Sequence, residues 1–501
     1  MFRLRRMGID TLSEHVIFIA EQAVAVGALG FKPLDRVRVI ARRADGSGGS
    51  EVSGVLNFCL DGGLAADEIG LSEAAFRDLG LPEGAPVEAT HTRAPESVER
   101  VRRKLRGERL SRRDFDAILA DVCARRYAKP ELSMFVLACA LRRLEIGELV
   151  AFTEAMIDCG SRLEFAAPVV ADKHCIGGIP GNRTTLIVVP ILAALGLTVP
   201  KTSSRAITSP SGTADTMAAL ADVALSPERI RSVVERAGAC IVWGGALDLA
   251  PADDVLITVE RPMGIDSEGQ MIASILSKKK TAGATHALID IPVGPTAKVR
   301  SREQGEALAE LFRAVARAIA LEVDVVLTEA HAPIGRGVGP RLEALDVLAV
   351  LKREPAASSE LREKSLYLAA RLLECTGTIG DAGGYRAAQQ ALDSGAALAK
   401  FEEIVAAQGE AALPPEARFR AEVVAKRDGR VREIDCFEIN SIAKLAGAPA
   451  NPSAGLRVLR GVDAVVARGE PLLEVHAQSR DQLEFALEYA EARPGFYRFG
   501  F

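Results

Sequence analysis

Three stretches of the 501-residue chain hold residues whose types and spacing suit anion chemistry. The first, DKHCIGGIPGNRTT (Asp172–Thr185), ends a strand-like run in a charged triplet. It passes through a turn with Gly177, Gly178 and Gly181 into the apolar segment Leu186–Leu197. A glycine-rich turn between strand and helix brings backbone N–H groups close to an anion, and the helix dipole adds to the attraction. Lys173 contributes a mobile positive charge, and Thr184 and Thr185 contribute hydroxyl donors at the helix start. Neither G-K-[ST] nor G-x-G-x-x-G occurs here, so this is not a Walker A loop or a dinucleotide fingerprint. Taken alone, it also fits an ordinary βα turn.

The second stretch, PKTSSRAITSPSGTADTM (Pro200–Met217), sets Thr202, Ser203, Ser204, Thr208, Ser209 and Ser211 around Arg205, Ala206 and Ile207. Pro210 and Gly212 break regular structure before Thr213 and a helix expected from Ala214. Two strand-to-helix turns at the carboxyl edge of one sheet favour a phosphate cradle over a Ser/Thr-rich cap. Arg205 suits bidentate phosphate contact, or it holds the loop by pairing with Asp215. The third stretch, ERPMGIDSEGQMIASILSKK (Glu260–Lys279), offers Arg261, Asp266, Ser274 and Lys278. Ser274 and Lys278 are four apart and share a helix face. Asp266, in the turn before that helix, is either a cap or a general acid, and spacing alone favours the cap.

A chain of this length is expected to fold as two to four domains. The formal net charge of −5 and the pI near 5.9 argue against a nucleic-acid partner, which would need phosphate neutralisation. One Trp and five Tyr leave little surface for base stacking. The eight cysteines include no C-x-x-C pair and the six histidines are widely separated, so neither a metal site nor a disulfide scaffold is expected. Asp10, Glu14 and His15 interrupt the basic start, and Leu186–Leu197 is too short to span a bilayer. A soluble, cytoplasmic protein without membrane contact is expected.

Residues 1–90 read as short β-branched strands between Gly, Asp and Pro. LGFKPLDRVRV from Leu29 resembles LGLPEGAPVEA from Leu79, either by chance or as two halves of a small barrel. Residues 91–165 are helical, with apolar residues three and four apart, and about 253–284 joins them. Residues 166–345 alternate strands and helices, the signature of a mostly parallel sheet. Residues 346–501 form a helical connection and a C-terminal α+β domain. Its last strands are shaped like a lipoyl domain, but no lysine follows Lys444 to accept a lipoyl or biotinyl group. The fold class expected is therefore multidomain α/β: an N-terminal β-rich, barrel-like domain, an all-α domain, a large α/β domain and a C-terminal α+β domain.

In this order the three stretches, together with IPVGPTAKV (Ile291–Val299), resemble the four motifs of the pyrimidine-nucleoside phosphorylase family. That family includes thymidine phosphorylase and the archaeal AMP phosphorylases. The match runs over roughly Leu110–Gly339 and more loosely to the C-terminus. The N-terminal extension of about 90 residues and the sequences GGIPGN and SSRAIT are similar to the AMP-phosphorylase branch. The resemblance implies phosphorolysis, in which inorganic phosphate attacks C1′ of a nucleoside or nucleotide and releases the base. It assigns Asp266 as proton donor to the departing base. Gly178, Ser204, Arg205, Ala206, Ile207, Thr208, Ser209, Thr213, Ser274 and Lys298 fall at substrate-binding positions. Lys173, Thr185 and Ser203 fall where phosphate is held, and His174, Arg261 and Lys278 near the base. Cys175 stands where shorter members carry a phosphate-binding serine.

The resemblance also implies no cofactor beyond phosphate as co-substrate, and a homodimer or larger homo-oligomer. It implies an active site in the cleft between the α and α/β domains. Two rivals are a Mg²⁺-dependent phosphoribosyltransferase of the anthranilate type and a catalytically silent assembly protein. The second requires missing acid or phosphate ligands, yet Asp266, Lys173 and Thr213 are all present.

Overall fold

Short β-branched runs bounded by turns build the N-terminal part of the protein. In the computed structural model, which describes residues 1–26, 30–41, 49–206, 209–265, 267–380 and 382–500, the chain divides into two units. The first comprises Met1–Gly160 with Ala250–Ser274, the second Ser161–Leu249 with Ile275–Phe501.

In the first unit, β1 (Phe2–Arg6), β2 (Val16–Ala20), β3 (Arg36–Ile40), β4 (Glu51–Cys59), β5 (Glu68–Leu71) and β6 (Pro86–His91) close into a barrel. The strand order is β1-β5-β2-β4-β3-β6. Alternation along each strand turns Leu4, Ile17, Ile19, Val37, Val39, Leu56, Ile69 and Val87 inward, where all are buried. The two similar Leu-Gly segments lead into β3 and β6, which pair antiparallel with Val39 opposite Ala89. Leu29 itself lies outside the described residues. The helices that follow pack around Phe115, Phe135 and Phe152. They are pinned by a buried ion pair, Lys104 Nζ to Glu148 Oε1 at 2.7 Å.

In the second unit, β7 (Ala171–Cys175), β8 (Val199–Ser203), β9 (Ala239–Trp243), β10 (His286–Val293) and β11 (Glu322–Glu329) are parallel. They form the ladders β11-β10-β7 and β8-β9, which a parallel bridge from Val170 to Thr198 joins. Helix Thr185–Ala194 follows β7 and is apolar on every side because it is enclosed, with nine of its residues buried. Beyond it, β12 (Gly337–Val338), β13 (Phe419–Val424), β14 (Gly429–Ile434), β15 (Gly455–Val458), β16 (Val465–Val466), β17 (Pro471–Ala477) and β18 (Tyr497–Gly500) make two small antiparallel sheets. Strand β12 seats the first of these against the loop that carries Gly181. A Cβ on Gly181, whose φ is +69°, would lie 2.3 Å from Ile334 O and 3.0 Å from Gly337 O. No described helix is long and apolar enough to cross a membrane.

Candidate active site

The second unit gathers its polar side chains at the carboxyl ends of β7, β8, β10 and β11. Lys173, on β7, is fully buried, and its Nζ donates to Thr184 Oγ1 at 2.9 Å. Thr184 is the residue just before the helix that starts at Thr185, so the ammonium stands at a helix N-terminus. The connecting turn requires left-handed backbone at Gly177 (φ +90°) and Gly178 (φ +95°), which glycine adopts without steric cost. Gly178 also lets Lys298 approach: a Cβ there would lie 3.2 Å from the Lys298 N and 3.3 Å from its Cγ. Two of the residues expected from the sequence are thus brought together, with Lys298 exposed at its turn.

The serine-rich loop is organised by one carboxylate. Asp215 Oδ2 accepts from Ala206 N at 2.6 Å and from Gly212 N at 2.9 Å. Its Oδ1 accepts from Arg205 Nη1 at 3.2 Å, and the Arg205 guanidinium lies 5.1 Å from the ring centre of Trp243. Arg205 is thus seen paired with Asp215, the arrangement of the loop-holding alternative. Ser203 and Ser209 hydrogen-bond carbonyls within the loop, at Ser204 and Ser211, and Ser204 is exposed. Thr213 begins helix Thr213–Ala218 and accepts from Arg183 Nη1 at 3.2 Å.

Asp266, Ile207 and Thr208 lie outside the described residues. Helix Glu268–Thr281 carries Ser274, in the first unit, and the half-buried Lys278, in the second. Arg261 ends the preceding helix, Pro251–Met263, in the first unit.

Several charged residues that sequence reasoning missed support these loops. Arg183 is paired with the buried Glu343 and donates to Ser211 O at 3.0 Å, so it straps the glycine-rich loop to the serine-rich one. Asp172 accepts from Lys279 Nζ at 2.6 Å and lies 3.4 Å from Lys201 Nζ. On the opposite face of β7, Asp290 and Lys364 stand behind Lys173. Burial lowers the Lys173 pKa, and the Asp290 carboxylate acts against that fall. His174 is held well below the usual imidazole range by burial and by Lys279, Lys201, Lys173 and Lys278, so it is a neutral hydrogen-bonding group. The Cys175 thiol, which accepts from Asn182 Nδ2 at 3.3 Å, is pushed up by burial and by Asp290 and stays protonated. Buried lysines and a protonated thiol beside a helix N-terminus are suited to holding an oxyanion.

Comparison with known proteins accords with this chemistry. The glycosyl transferase family helical bundle domain matches residues 98–160 and the a/b domain of that family residues 167–398. A pyrimidine nucleoside phosphorylase C-terminal domain matches residues 430–493. A protein from Polaromonas sp. named "Putative thymidine phosphorylase" is 48% identical, over 98% of this chain and 95% of its own length. One of the same name from Methylococcus capsulatus is 47% identical over 99% and 95%.

The chain belongs to the pyrimidine-nucleoside (thymidine) phosphorylase family. It is thus a glycosyl-transferase-family protein, with the helical bundle domain and the a/b domain of that family. The same fold occurs in anthranilate phosphoribosyltransferase from Thermus thermophilus. That structure aligns with a TM-score of 0.53 at 21% identity, over 62% of this chain and 98% of the other. At that identity the likeness is one of fold. The family-matched segments include the glycine-rich and serine-rich loops, while residues 1–97 precede all three of them.

Proposed function

We propose that this protein catalyses phosphorolysis of the N-glycosidic bond of a pyrimidine nucleoside or a nucleoside 5′-monophosphate. The products are the free base and a sugar 1-phosphate, or ribose 1,5-bisphosphate where a ribonucleoside monophosphate is the substrate. Inorganic phosphate is the co-substrate, and the mechanism assigns no step to a metal or other cofactor. The observation that carries the reading is the Lys173 ammonium, buried and tied to Thr184 at a helix N-terminus beneath a glycine turn, in a chain of this family.

Phosphate held at Lys173 attacks C1′ as the bond to the base breaks through an oxocarbenium-like state. Electrons of the breaking bond pass to the base nitrogen, and Asp266 delivers a proton to the departing base. A carboxylic acid can donate near neutral pH when burial or a neighbouring anion raises its pKa, and bound phosphate is such an anion. Thr185 and Ser203 assist in holding phosphate. Gly178, Ser204–Ser209, Thr213, Ser274, Lys278 and Lys298 orient the sugar and base. We place the protein in the cytoplasm as a homodimer or larger homo-oligomer.

The test is a panel of thymidine, uridine, AMP, CMP and UMP under saturating phosphate, with kcat/KM read from released base. Release of base that depends on phosphate supports phosphorolysis, and the winning substrate fixes its class. No phosphate-dependent base release from any of them overturns the proposal.

A further inference from the structure

Behind Lys173 lies a second charged group that the proposed reaction does not yet use. The parallel register sets Cys175 opposite Asp290 on β10, and Pro292 opposite Thr328 on β11. Asp290 sits between Ile289 and Ile291, and Lys173 and Asp290 are both wholly buried. The Lys364 side chain, from helix Ser359–Cys375, is 10% exposed. Asp290 Oδ1 accepts from Thr328 Oγ1 at 2.6 Å, and Thr328 Oγ1 in turn accepts from Lys364 Nζ at 3.0 Å. The other oxygen, Oδ2, accepts no hydrogen bond from either lysine, and the Cys175 thiol is a further neighbour that favours the charged carboxylate. It lies 3.4 Å from Lys364 Nζ and 3.9 Å from Lys173 Nζ.

That spacing is informative. A buried carboxylate costs several kcal/mol unless it is paired, and a simple ion pair closes to about 2.8 Å. Here two ammonium groups share one oxygen from beyond that distance, and Lys173 gives its hydrogen bond to Thr184 instead. Two cations against one carboxylate leave a net charge of +1. The neutral Cys175 thiol subtracts nothing, and Arg183, which also faces Lys173, is matched by Glu343. Resting on the phosphorolysis reading, we infer that Lys364 and Asp290 are positioning residues for the phosphate step. Lys364 draws the Asp290 carboxylate away from Lys173, and Asp290 keeps the Lys173 ammonium charged. Without Lys364, Asp290 closes on Lys173 and phosphate meets a neutral pair.

The experiment uses full-length protein, with calorimetric titration of inorganic phosphate beside steady-state kinetics. Lys364→Met should raise both the Kd and the KM for phosphate by about tenfold, the effect of one nearby charge at partial burial. The KM for nucleoside or nucleotide should stay within about twofold. Lys364→Arg should recover most of the loss. Lys364→Gln provides the same comparison if the Met variant does not fold.

Asp290→Asn removes the carboxylate that supports the Lys173 charge against burial, Lys364 and Arg183. Its phosphate affinity should therefore decline at lower pH than in the wild type as pH rises. A purely structural role would instead lower the melting temperature and raise both KM values together, with no rescue by Arg and no change in pH profile. Unchanged phosphate Kd in a folded Lys364→Met or Lys364→Gln variant overturns the inference, as does a wild type that binds no phosphate. A wild type that binds phosphate but turns over no substrate overturns phosphorolysis alone, and the Kd comparison still decides the role of Lys364.

Discussion

Arg183→Met tests whether a buried strap sets the geometry of both loops. Methionine keeps much of the stem and removes a guanidinium that pairs with Glu343 and donates to Ser211 O and Thr213 Oγ1. The two side chains are 9% and 1% exposed, so the pair is buried. Removing one partner of such a pair costs about 3–5 kcal/mol, because the remaining charge is stranded. Glu343 keeps hydrogen bonds from Gly339 N at 3.2 Å and Thr216 Oγ1 at 2.9 Å, which places the expected loss near 3 kcal/mol.

The pH dependence has a definite sign. Burial already raises the Glu343 pKa against the opposing pull of Arg183, Gly339, Thr216 and Ser211. Without Arg183 the folded-state value rises further. A carboxyl with a higher pKa folded than unfolded binds its proton more tightly in the folded state, so stability increases as pH falls through the folded value. The deficit of Arg183→Met should therefore be largest near pH 8 and shrink toward pH 5. Urea unfolding followed by Trp243, the single tryptophan of the chain, measures it. Arg183→Met/Glu343→Leu should regain part of the loss at pH 8. A deficit below about 1 kcal/mol, the range of exposed pairs, or one independent of pH, would refute the reasoning.

Asp266→Asn should fold normally and lower kcat by about 10²–10⁴, the usual contribution of a general acid; an unchanged kcat on the best substrate removes it from the mechanism. Lys173→Ala should raise the phosphate KM far more than the nucleoside KM, and equal effects argue against its assignment. Cys175→Ser should be tolerated and hold phosphate at least as tightly, since a hydroxyl is the better donor; a large rise in phosphate Kd would count against this. Gly181→Ala forces a methyl to within 2.3 Å of Ile334 O, so phosphate turnover should fall by about a hundredfold or more, as for a loop displaced by an ångström. Arg205→Ala should weaken nucleoside and monophosphate turnover by the same factor, because its contacts are Asp215 and Trp243. Loss confined to the monophosphate would instead give Arg205 to a 5′-phosphate.

What was legible in the sequence was local. Lys173, the glycine turn and the helix start at Thr185 lie within thirteen residues, and propensity alone orders them as strand, turn and helix. The pairing of Arg205 with Asp215 was open as an alternative because the loop residue and the first turn of the helix that follows it are close in sequence. Arg183–Glu343 and Asp290–Lys364 were not legible, since each joins elements remote in the chain whose contact depends on the packed sheet. The signal that could have found Asp290 is its place in HALIDIPV, where a lone carboxylate interrupts an apolar parallel strand. Lys201 in VPKTS carries the same signal, a charge in a strand that is otherwise apolar or small.

The triplet Asp172-Lys173-His174 acquires its meaning from the two-residue period of a strand. Alternation sends Lys173 to one face, with Asp290, Lys364 and Thr328, and Asp172 and His174 to the other, with Lys201 and Lys279. On each face two lysines attend one aspartate, so each face carries an excess of one positive charge when all four lysines are protonated. The two excesses differ in durability. Burial, Lys279 and Lys173 pull Lys201 down to about 7 against the support of Asp172. The Asp172 face therefore approaches neutrality as pH rises past 7. Lys173 also has a lowered pKa, but it stands at the glycine turn and the helix N-terminus, where backbone dipoles add attraction that does not titrate. On the proposed phosphorolysis, the phosphate dianion is therefore expected on the Lys173 side, with the neutral imidazole of His174 left on the other face for a less charged group.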